Sequence, residues 1–399
     1  MENVGIVCEY NPFHSGHKHQ ISLLREGGAK CIICVMSGNF TQRGEPAIAD
    51  KYTRAKMAIS EGADIVLELP FPYCSLSAEG FSRAGVYILS ALGADTLSFG
   101  CECGSVSKLT HAAGIISGKE FQERFAELQK SVCGSTSAFF EAYKSVTGEN
   151  ADFSSNDILG ISYIRAISEL ESNMTPHAIL RTGNAYNDNI LKSGYPSATA
   201  IRESLSSSGA DKLENYIPSC ALDCLECAID NKDAPVFAQT MREHVLMFFR
   251  LNSPEEISMR ATSLCSGSEI PDNGDGIVNR LCSIAKSAVD ADDFYAQIYN
   301  SKHTDSRIRR VILYSLLGVS DGVKDMLPPY TLLLGATETG RNYLSKVRKN
   351  SNIPIITKPA DIPESKIKLL TQRADSLYAQ LMPRKISGDY FAKKSPFII

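Results

Sequence analysis

The chain has 399 residues, 43% hydrophobic and 22% charged, with 28 glycines, 17 prolines and no tryptophan. That length points to two or three domains with an ample core. No run approaches the ~18 consecutive apolar residues of a membrane span, and Met1-Glu2-Asn3 does not open a basic signal segment, so the expectation is a soluble, cytoplasmic globular protein with no membrane partner. The net charge of −4 is unevenly spread: 16 Lys+Arg against 21 Asp+Glu over residues 1–200, 8 against 16 over 201–300, and 17 against 8 over 301–399. A basic third on an acidic chain is how a polyanion-binding face shows in sequence. A solvated basic surface looks the same.

Residues 4–10 form a short apolar run, followed by a turn and a helix-like stretch over 16–25. A second strand is expected at 30–36, then a helix over 50–61 with Tyr52, Ala55, Met57, Ala58 and Ile59 mostly on one side. A strand at 64–69, a helix over 78–92 and a strand at 95–99 continue the alternation. Near-continuous apolar strands between helices predict βαβ units, hence a doubly wound parallel α/β sheet covered on both faces. Residues 105–172 read as helical and 177–181 as a fifth strand. From 199 to 317 the pattern is helical, broken at Pro218, Pro254 and Pro271, and its last helix opens with Arg307, Arg309 and Arg310. The tail returns to α/β, with strands at 330–334 and 353–357, a basic helix at 337–349 and a long final helix at 362–381. The expected organisation is a sheet domain over 1–200, a helical region over 201–320 and a small basic α/β C-terminal unit over 321–399.

Two groups among the twelve cysteines mimic motifs. Cys31 and Cys34 lie in an apolar strand, where positions three apart point to opposite faces and cannot chelate together. Cys220, Cys224 and Cys227 have the spacing of an iron–sulfur motif, but they run into a helical pattern after Pro218. No Cys/His set has zinc spacing, so buried free thiols are expected and no metal site is assigned.

The informative stretch follows the first strand, where His14-x-Gly16-His17 occupies the turn into the first helix. Ligands of doubly wound sheets bind outside the carboxyl ends of the strands. Gly16 admits a close backbone approach, and a helix start aims N–H groups at phosphate. Two imidazoles there could donate hydrogen bonds to an α-phosphate as charge builds during in-line attack. A second small-hydroxyl cluster, Ser197, Thr199 and Arg202, leads into another helix and suits a departing pyrophosphate.

These two segments resemble the HIGH-motif nucleotidyltransferase superfamily. Longer blocks are more specific: residues 7–17, 36–48 with Asp50-Lys51, 156–163, 306–310, and 335–358 through Gly340-Arg341. They look like the tRNA(Met) cytidine acetate ligase family over nearly the whole chain. The resemblance implies a two-step reaction. Acetate attacks the α-phosphate of ATP to give acetyl-adenylate and pyrophosphate. The N4 amine of the wobble cytidine in elongator tRNA(Met) then takes the acetyl group.

Carried over by position, the resemblance implies an ATP-binding segment of Val7-Cys8-Glu9-Tyr10-Asn11-Pro12-Phe13-His14-Ser15-Gly16-His17-Lys18-His19-Gln20. His14 and His17 would be catalytic, and Gly100, Asn156, Arg181 and Thr182 would complete the nucleotide contacts. Mg²⁺ is expected with ATP, without a named protein ligand. The chain departs from the family at Tyr186-Asn187-Asp188, where a histidine is usual at 187, and at Gly100-Cys101-Glu102, where Gly-Ser-Glu is expected. Arg307, Arg309, Arg310, Arg341, Lys346, Arg348 and Lys349 are expected to meet the tRNA backbone, those of the 304–317 helix acting with the C-terminal unit.

Two other readings fit parts of the sequence. A nucleotidyltransferase that adenylylates a phosphorylated metabolite would use the same turn, but needs neither the further two hundred residues nor the basic tail. A non-catalytic RNA-binding protein has no use for the paired histidines as transition-state donors.

Overall fold

The computed structural model describes residues 1–131, 135–181, 197–208, 213–263, 267, 269–273, 276–299 and 303–399. Its strands are β1 (Asn3–Cys8), β2 (Cys31–Ser37), β3 (Ile65–Leu69), β4 (Thr96–Cys101), β5 (Thr175–Leu180), β6 (Thr331–Ala336), β7 (Ile355–Ile356) and β8 (Phe397–Ile398). The first eight helices are α1 (Ser15–Glu26), α2 (Lys51–Ser60), α3 (Ala78–Ala91), α4 (Val106–Ser117), α5 (Lys119–Ser131), α6 (Ser135–Thr147), α7 (Ser155–Glu169) and α8 (Ala198–Ser208). They are followed by α9 (Ser219–Asp230), α10 (Arg242–Leu251), α11 (Pro254–Thr262), α12 (Ile277–Ser287), α13 (Ala291–Tyr299), α14 (Asp305–Leu317), α15 (Glu338–Val347) and α16 (Lys366–Leu381). No helix among the described residues is long and apolar enough to cross a membrane.

The strands form one sheet in the order β5-β4-β1-β2-β3-β6-β7, with β8 also on β6. Strands β1 to β5 are mutually parallel, as the alternating pattern predicts. Every residue of β2 and β3 is buried, because helices cover both faces. β1 pairs with β2 on one side and β4 on the other, so the winding reverses there and leaves a crevice at the strand ends.

The C-terminal strands do not build a layer of their own. β6 pairs antiparallel with β3, Ile65 opposite Ala336, and extends the same sheet. The physical reason is that β3 would otherwise be an open apolar edge, while all six residues of β6 need burial. The final helix starts at Lys366, later than its apolar pattern suggests, because Ser365 caps it by accepting from the Lys368 amide at 3.1 Å. Lys51 then ties α16 to the sheet, its ammonium 2.8 Å from both Glu68 and Asp375 and only 2% exposed. Burial works against that charge, but the facing carboxylates of Asp375 and Glu68 keep Lys51 protonated.

Arg54 on α2 is fully buried. Its Nε donates to the Ala49 carbonyl at 2.8 Å and Nη1 to the Glu9 carbonyl at 2.5 Å. Nη2 donates to the carbonyls of Ser37, at 3.1 Å, and Gly38. One guanidinium thus satisfies four acceptors: Glu9 just past β1, Ser37 and Gly38 at the end of β2, and Ala49 just ahead of α2. Arg54→Met should lower the unfolding free energy by about 3 kcal/mol or more, because it strands those carbonyls. Arg54→Lys should restore only part, since an ammonium lacks the planar fork. Denaturant unfolding checks this, and a loss below about 1 kcal/mol for Arg54→Met would remove the role.

Candidate active site

Two residues past the end of β1 stands Tyr10, whose φ of 47° lies in the left-handed region that a bulky side chain rarely adopts. The ring is buried, its hydroxyl 3.4 Å from Cys34 Sγ, and this packing holds the turn that delivers His14. His14 is the N-cap of α1. Its Nδ1 accepts from the Gly16 amide at 3.1 Å, and His17 Nδ1 accepts from the His14 amide at 3.2 Å. The two imidazoles thereby form a capping box, a role usually filled by Ser or Thr with Glu. The rings stack with centroids 3.7 Å apart, and Tyr10 meets His17 edge-on at 4.7 Å.

This geometry sets the tautomers. A ring nitrogen that accepts from a backbone amide carries no proton, so both histidines hold theirs on Nε2. Burial first, and then Arg181 and Arg202, lower the His14 pKa to about 3. Burial, the neighbouring His14 and Arg181 lower that of His17 well below its usual value. Both rings are neutral at pH 7 and offer one Nε2–H each.

Around them the carboxyl ends of β1, β4 and β5 and the start of α8 enclose a pocket. Of the expected residues it gathers Val7, Cys8, Glu9, Tyr10, Asn11, His14, His17 and Gln20 from the first segment. Gly100, Asn156, Arg181, Ser197, Thr199 and Arg202 join them. Arg202 is oriented by the Asn11 carbonyl at 2.8 Å and Thr199 Oγ1 at 3.2 Å, and Ser197 Oγ caps the Ala200 amide at 3.1 Å.

The rest of the 7–20 segment supports the pocket without lining it. Phe13 is buried beneath the rings, and Pro12 shapes the turn. Ser15 Oγ donates to the Tyr216 carbonyl at 2.8 Å, the Gly16 amide donates to the capping ring of His14, and Lys18 pairs with Glu61 at 3.1 Å. His19 is on α1 but does not line the pocket. Thr182 and the 186–188 departure lie outside the described residues.

One wall of the pocket comes from residues not expected at the site. Thr41, Gln42, Arg43 and Glu45, in the loop after β2, line the pocket opposite α8. The rule that placed a site after β1 applies equally to β2, and that signal was available. The Gln42 backbone N–H donates to Glu9 Oε1 at 2.7 Å, and Glu45 pairs with Arg309 of α14 at 3.0 Å. Gly44, at φ +77°, lets the loop sit directly on α14, where a Cβ would come 2.7 Å from the Arg310 amide. Phe81, Phe99, Leu159 and Tyr163 supply an apolar side that residue types alone did not mark.

The expected RNA contacts separate into two groups. The arginines of α14 are engaged within the fold: Arg307 Nε donates to the Asp272 carbonyl at 3.0 Å, Arg309 pairs with Glu45, and Arg310 is buried against Asp272 at 2.8 Å. Arg310 was expected at an RNA surface and is instead an internal brace. Arg341, Lys346, Arg348 and Lys349 are exposed on α15 and just after it.

Metal fit is poor. Glu9 and Glu45 are the only carboxylates lining the pocket among the described residues, and each is engaged, so no carboxylate pair is offered to Mg²⁺. Cys101, Cys103 and Asp157 come together nearby, but Asp157 accepts the backbone amides of Glu102, Cys103 and Ser154, and burial pushes the Cys101 thiol up to about 11. Cys220, Cys224 and Cys227 share α9 and form no ligand group among the described residues.

Three comparisons place this geometry among known proteins. The family model described as HIGH Nucleotidyl Transferase matches residues 1–392. A tRNA(Met) cytidine acetate ligase of Caldanaerobacter subterraneus is 33% identical over 92% of this chain and 91% of its own. Another, from Oceanobacillus iheyensis, is 32% identical over the full length of both. Crystal structures of Thermotoga maritima TmcAL, apo and bound with alpha-thio ATP, superpose with TM-scores of 0.90 and 0.89 at 31% identity, covering 100% of each chain.

The neutral, buried histidine predicts an acid dependence of stability. The folded pKa of His14 lies below its unfolded value, so the unfolded chain binds the extra proton between about pH 6.5 and pH 3, and stability falls with pH through that window. At pH 5 the loss from His14 amounts to about 2 kcal/mol. His14→Asn keeps a capping acceptor and should flatten the fall in melting temperature between pH 7 and pH 5. An equally steep fall in the variant would contradict the assignment.

Proposed function

The chain belongs to the HIGH nucleotidyl transferases and, among them, to the tRNA(Met) cytidine acetate ligase family, and from that membership we propose that its pocket activates acetate with ATP and acetylates N4 of the wobble cytidine of elongator tRNA(Met). The observation that carries the reading is the pair of neutral imidazoles, each with its proton on Nε2, that line the pocket at the reversal point of the sheet together with Arg181 and Arg202. Neutral donors keep their protons while they stabilise charge that develops only in the transition state.

In the first step an acetate oxygen attacks the α-phosphorus, the bond to the bridging oxygen breaks, and pyrophosphate leaves with the electron pair. His14 and His17 face the charge growing on the α-phosphate, while Arg202 and the capped start of α8 suit the departing pyrophosphate. In the second step the cytidine N4 attacks the acetyl carbonyl, AMP leaves with the electrons of the acyl–phosphate bond, and N4 gives up one of its two hydrogens as a proton to solvent. Mg²⁺ belongs to the same proposal as a companion of the triphosphate, carried by phosphate oxygens rather than by a carboxylate pair.

The labour divides along the chain in this proposal. Residues 1–200 hold ATP, the helices of 201–320 buttress the pocket through α14, and 321–399 extend the sheet and present Arg341, Lys346, Arg348 and Lys349 to tRNA. α15 starts at the amino edge of the sheet, where Thr337 Oγ1 meets Asp64 at 3.1 Å, and the chain then returns to enter β7 beside the start of β6. A cytoplasmic location follows from the tRNA substrate.

Purified protein given labelled ATP, acetate and bulk tRNA should release pyrophosphate in an acetate-dependent manner and leave N4-acetylcytidine in the RNA. His14→Ala and His17→Ala should each lower that release about 10²- to 10³-fold. Release that ignores acetate but responds to a phosphorylated metabolite would overturn the reading in favour of metabolite adenylylation. Reversing Lys346, Arg348 and Lys349 together to Glu should raise the KM for tRNA about tenfold more than that for ATP and flatten its salt dependence. Equal changes in both constants would remove these residues from the RNA surface.

A further inference from the structure

Glu102 stands just beyond β4 and does not line the pocket, yet it holds two side chains that do. Its Oε1 accepts from Asn156 Nδ2 at 2.6 Å and lies 3.4 Å from Arg181 Nε. Its Oε2 accepts from Ser154 Oγ, the N-cap of α7. The Glu102 amide donates to Asp157 Oδ1 at 3.1 Å, which locks the β4 end to the start of α7. The carboxylate is thus fixed from both sides, and Asn156 and Arg181 are fixed by it.

A carboxylate only accepts hydrogen bonds, so the amide atom facing it has to be the NH₂ of Asn156. The orientation of the amide follows from this partner. With one Nδ2 hydrogen committed to Glu102, the face that Oδ1 presents is fixed, and the side chain offers that acceptor and its one remaining N–H.

We propose that Glu102 is a positioning residue which sets nucleotide selectivity by holding Asn156 with its carbonyl oxygen available to the bound nucleotide. A ligand atom that meets Asn156 Oδ1 must then carry a hydrogen. On a nucleoside triphosphate this means an exocyclic amine of the base or a ribose hydroxyl; a carbonyl or bare ring nitrogen in the same place would set acceptor against acceptor. The inference rests on the reading that the pocket takes ATP, and extends it to why ATP is chosen.

Equilibrium binding of the full-length protein to ATP, inosine triphosphate, 2′-deoxy-ATP and 3′-deoxy-ATP separates the sources, without acetate or tRNA. Inosine triphosphate replaces the 6-amine with an oxygen, and the deoxy nucleotides each remove one hydroxyl. The wild-type protein should bind at least one of the three about tenfold more weakly than ATP. In Glu102→Ala the Asn156 amide is free to turn, and that ratio should fall to within about threefold. Asn156→Ala should erase the ratio with Glu102 intact. Glu102→Gln, whose side-chain amide can face Asn156 with either its oxygen or its NH₂, should likewise lower the ratio and carries the test if Glu102→Ala fails to fold. A purely structural Glu102 would weaken all four nucleotides alike. ATP binding with no discrimination by the wild type, or with an unchanged ratio in Glu102→Ala, overturns this inference alone. Failure of the wild type to bind ATP overturns the ATP reading and this inference with it.

Discussion

The pocket depends on one buried guanidinium. Parallel strands that end side by side leave carbonyls with no partner in the next strand, and a site at those ends needs the chain to diverge rather than continue pairing. Arg54 resolves this by reaching from α2 to the carbonyls of Glu9, Ser37, Gly38 and Ala49. The segment after β1 is then free to turn through Tyr10 into the histidine cap, and the segment after β2 to become the opposite wall. Both functional loops depart from the acceptors of a single side chain, so their separation is set by a rigid planar group.

Electrostatics follow from that frame. Arg43, Arg181 and Arg202 outnumber Glu9 and Glu45 around the pocket, and each carboxylate is already engaged, so the cavity favours a polyanion. Burial keeps the histidines neutral, and Arg181 and Arg202 add to it. Positive charge is therefore carried by groups that cannot lose it, and the imidazoles are left as oriented dipoles. The Glu45–Arg309 pair extends this order outward, because it fixes the loop to α14 and makes the helical region part of the pocket wall.

Much of the sheet was legible because apolar runs and their spacing are local properties. The runs near 4–10, 30–36, 64–69, 95–99 and 177–181 became β1 to β5, and the rule for doubly wound sheets put His14 and His17 at a ligand crevice. Pairing between distant strands is not local. Nothing in Thr331–Ala336 says that its partner is β3 and the direction antiparallel, so the C-terminal unit reads as separate until the sheet is assembled. Charged residues were the other blind spot. Arg54 and Arg310 both lie on helices where a charge reads as solvated, and only the carbonyls and the carboxylate they meet in three dimensions explain their burial. Glu102 is similar: its neighbours in sequence gave the expected nucleotide contact, while its own partners come from residues some fifty and eighty positions later.

The spacing of the histidine motif itself has a structural cause. In a capping box the residue before the first turn and the third residue of the helix exchange hydrogen bonds with each other's ends. His14 and His17 occupy those two positions. Any other spacing would break the exchange, leave the Nδ1 protonation unspecified and let the Nε2–H groups point apart. Ser or Thr with Glu would cap the helix equally well but would place no neutral donors in the pocket. Gly16, between them, donates its backbone N–H to His14 Nδ1. The local requirement of a helix start and the chemical requirement of two neutral, aimed donors are therefore met by the same four residues. This is why so short a pattern carries so much of the reading.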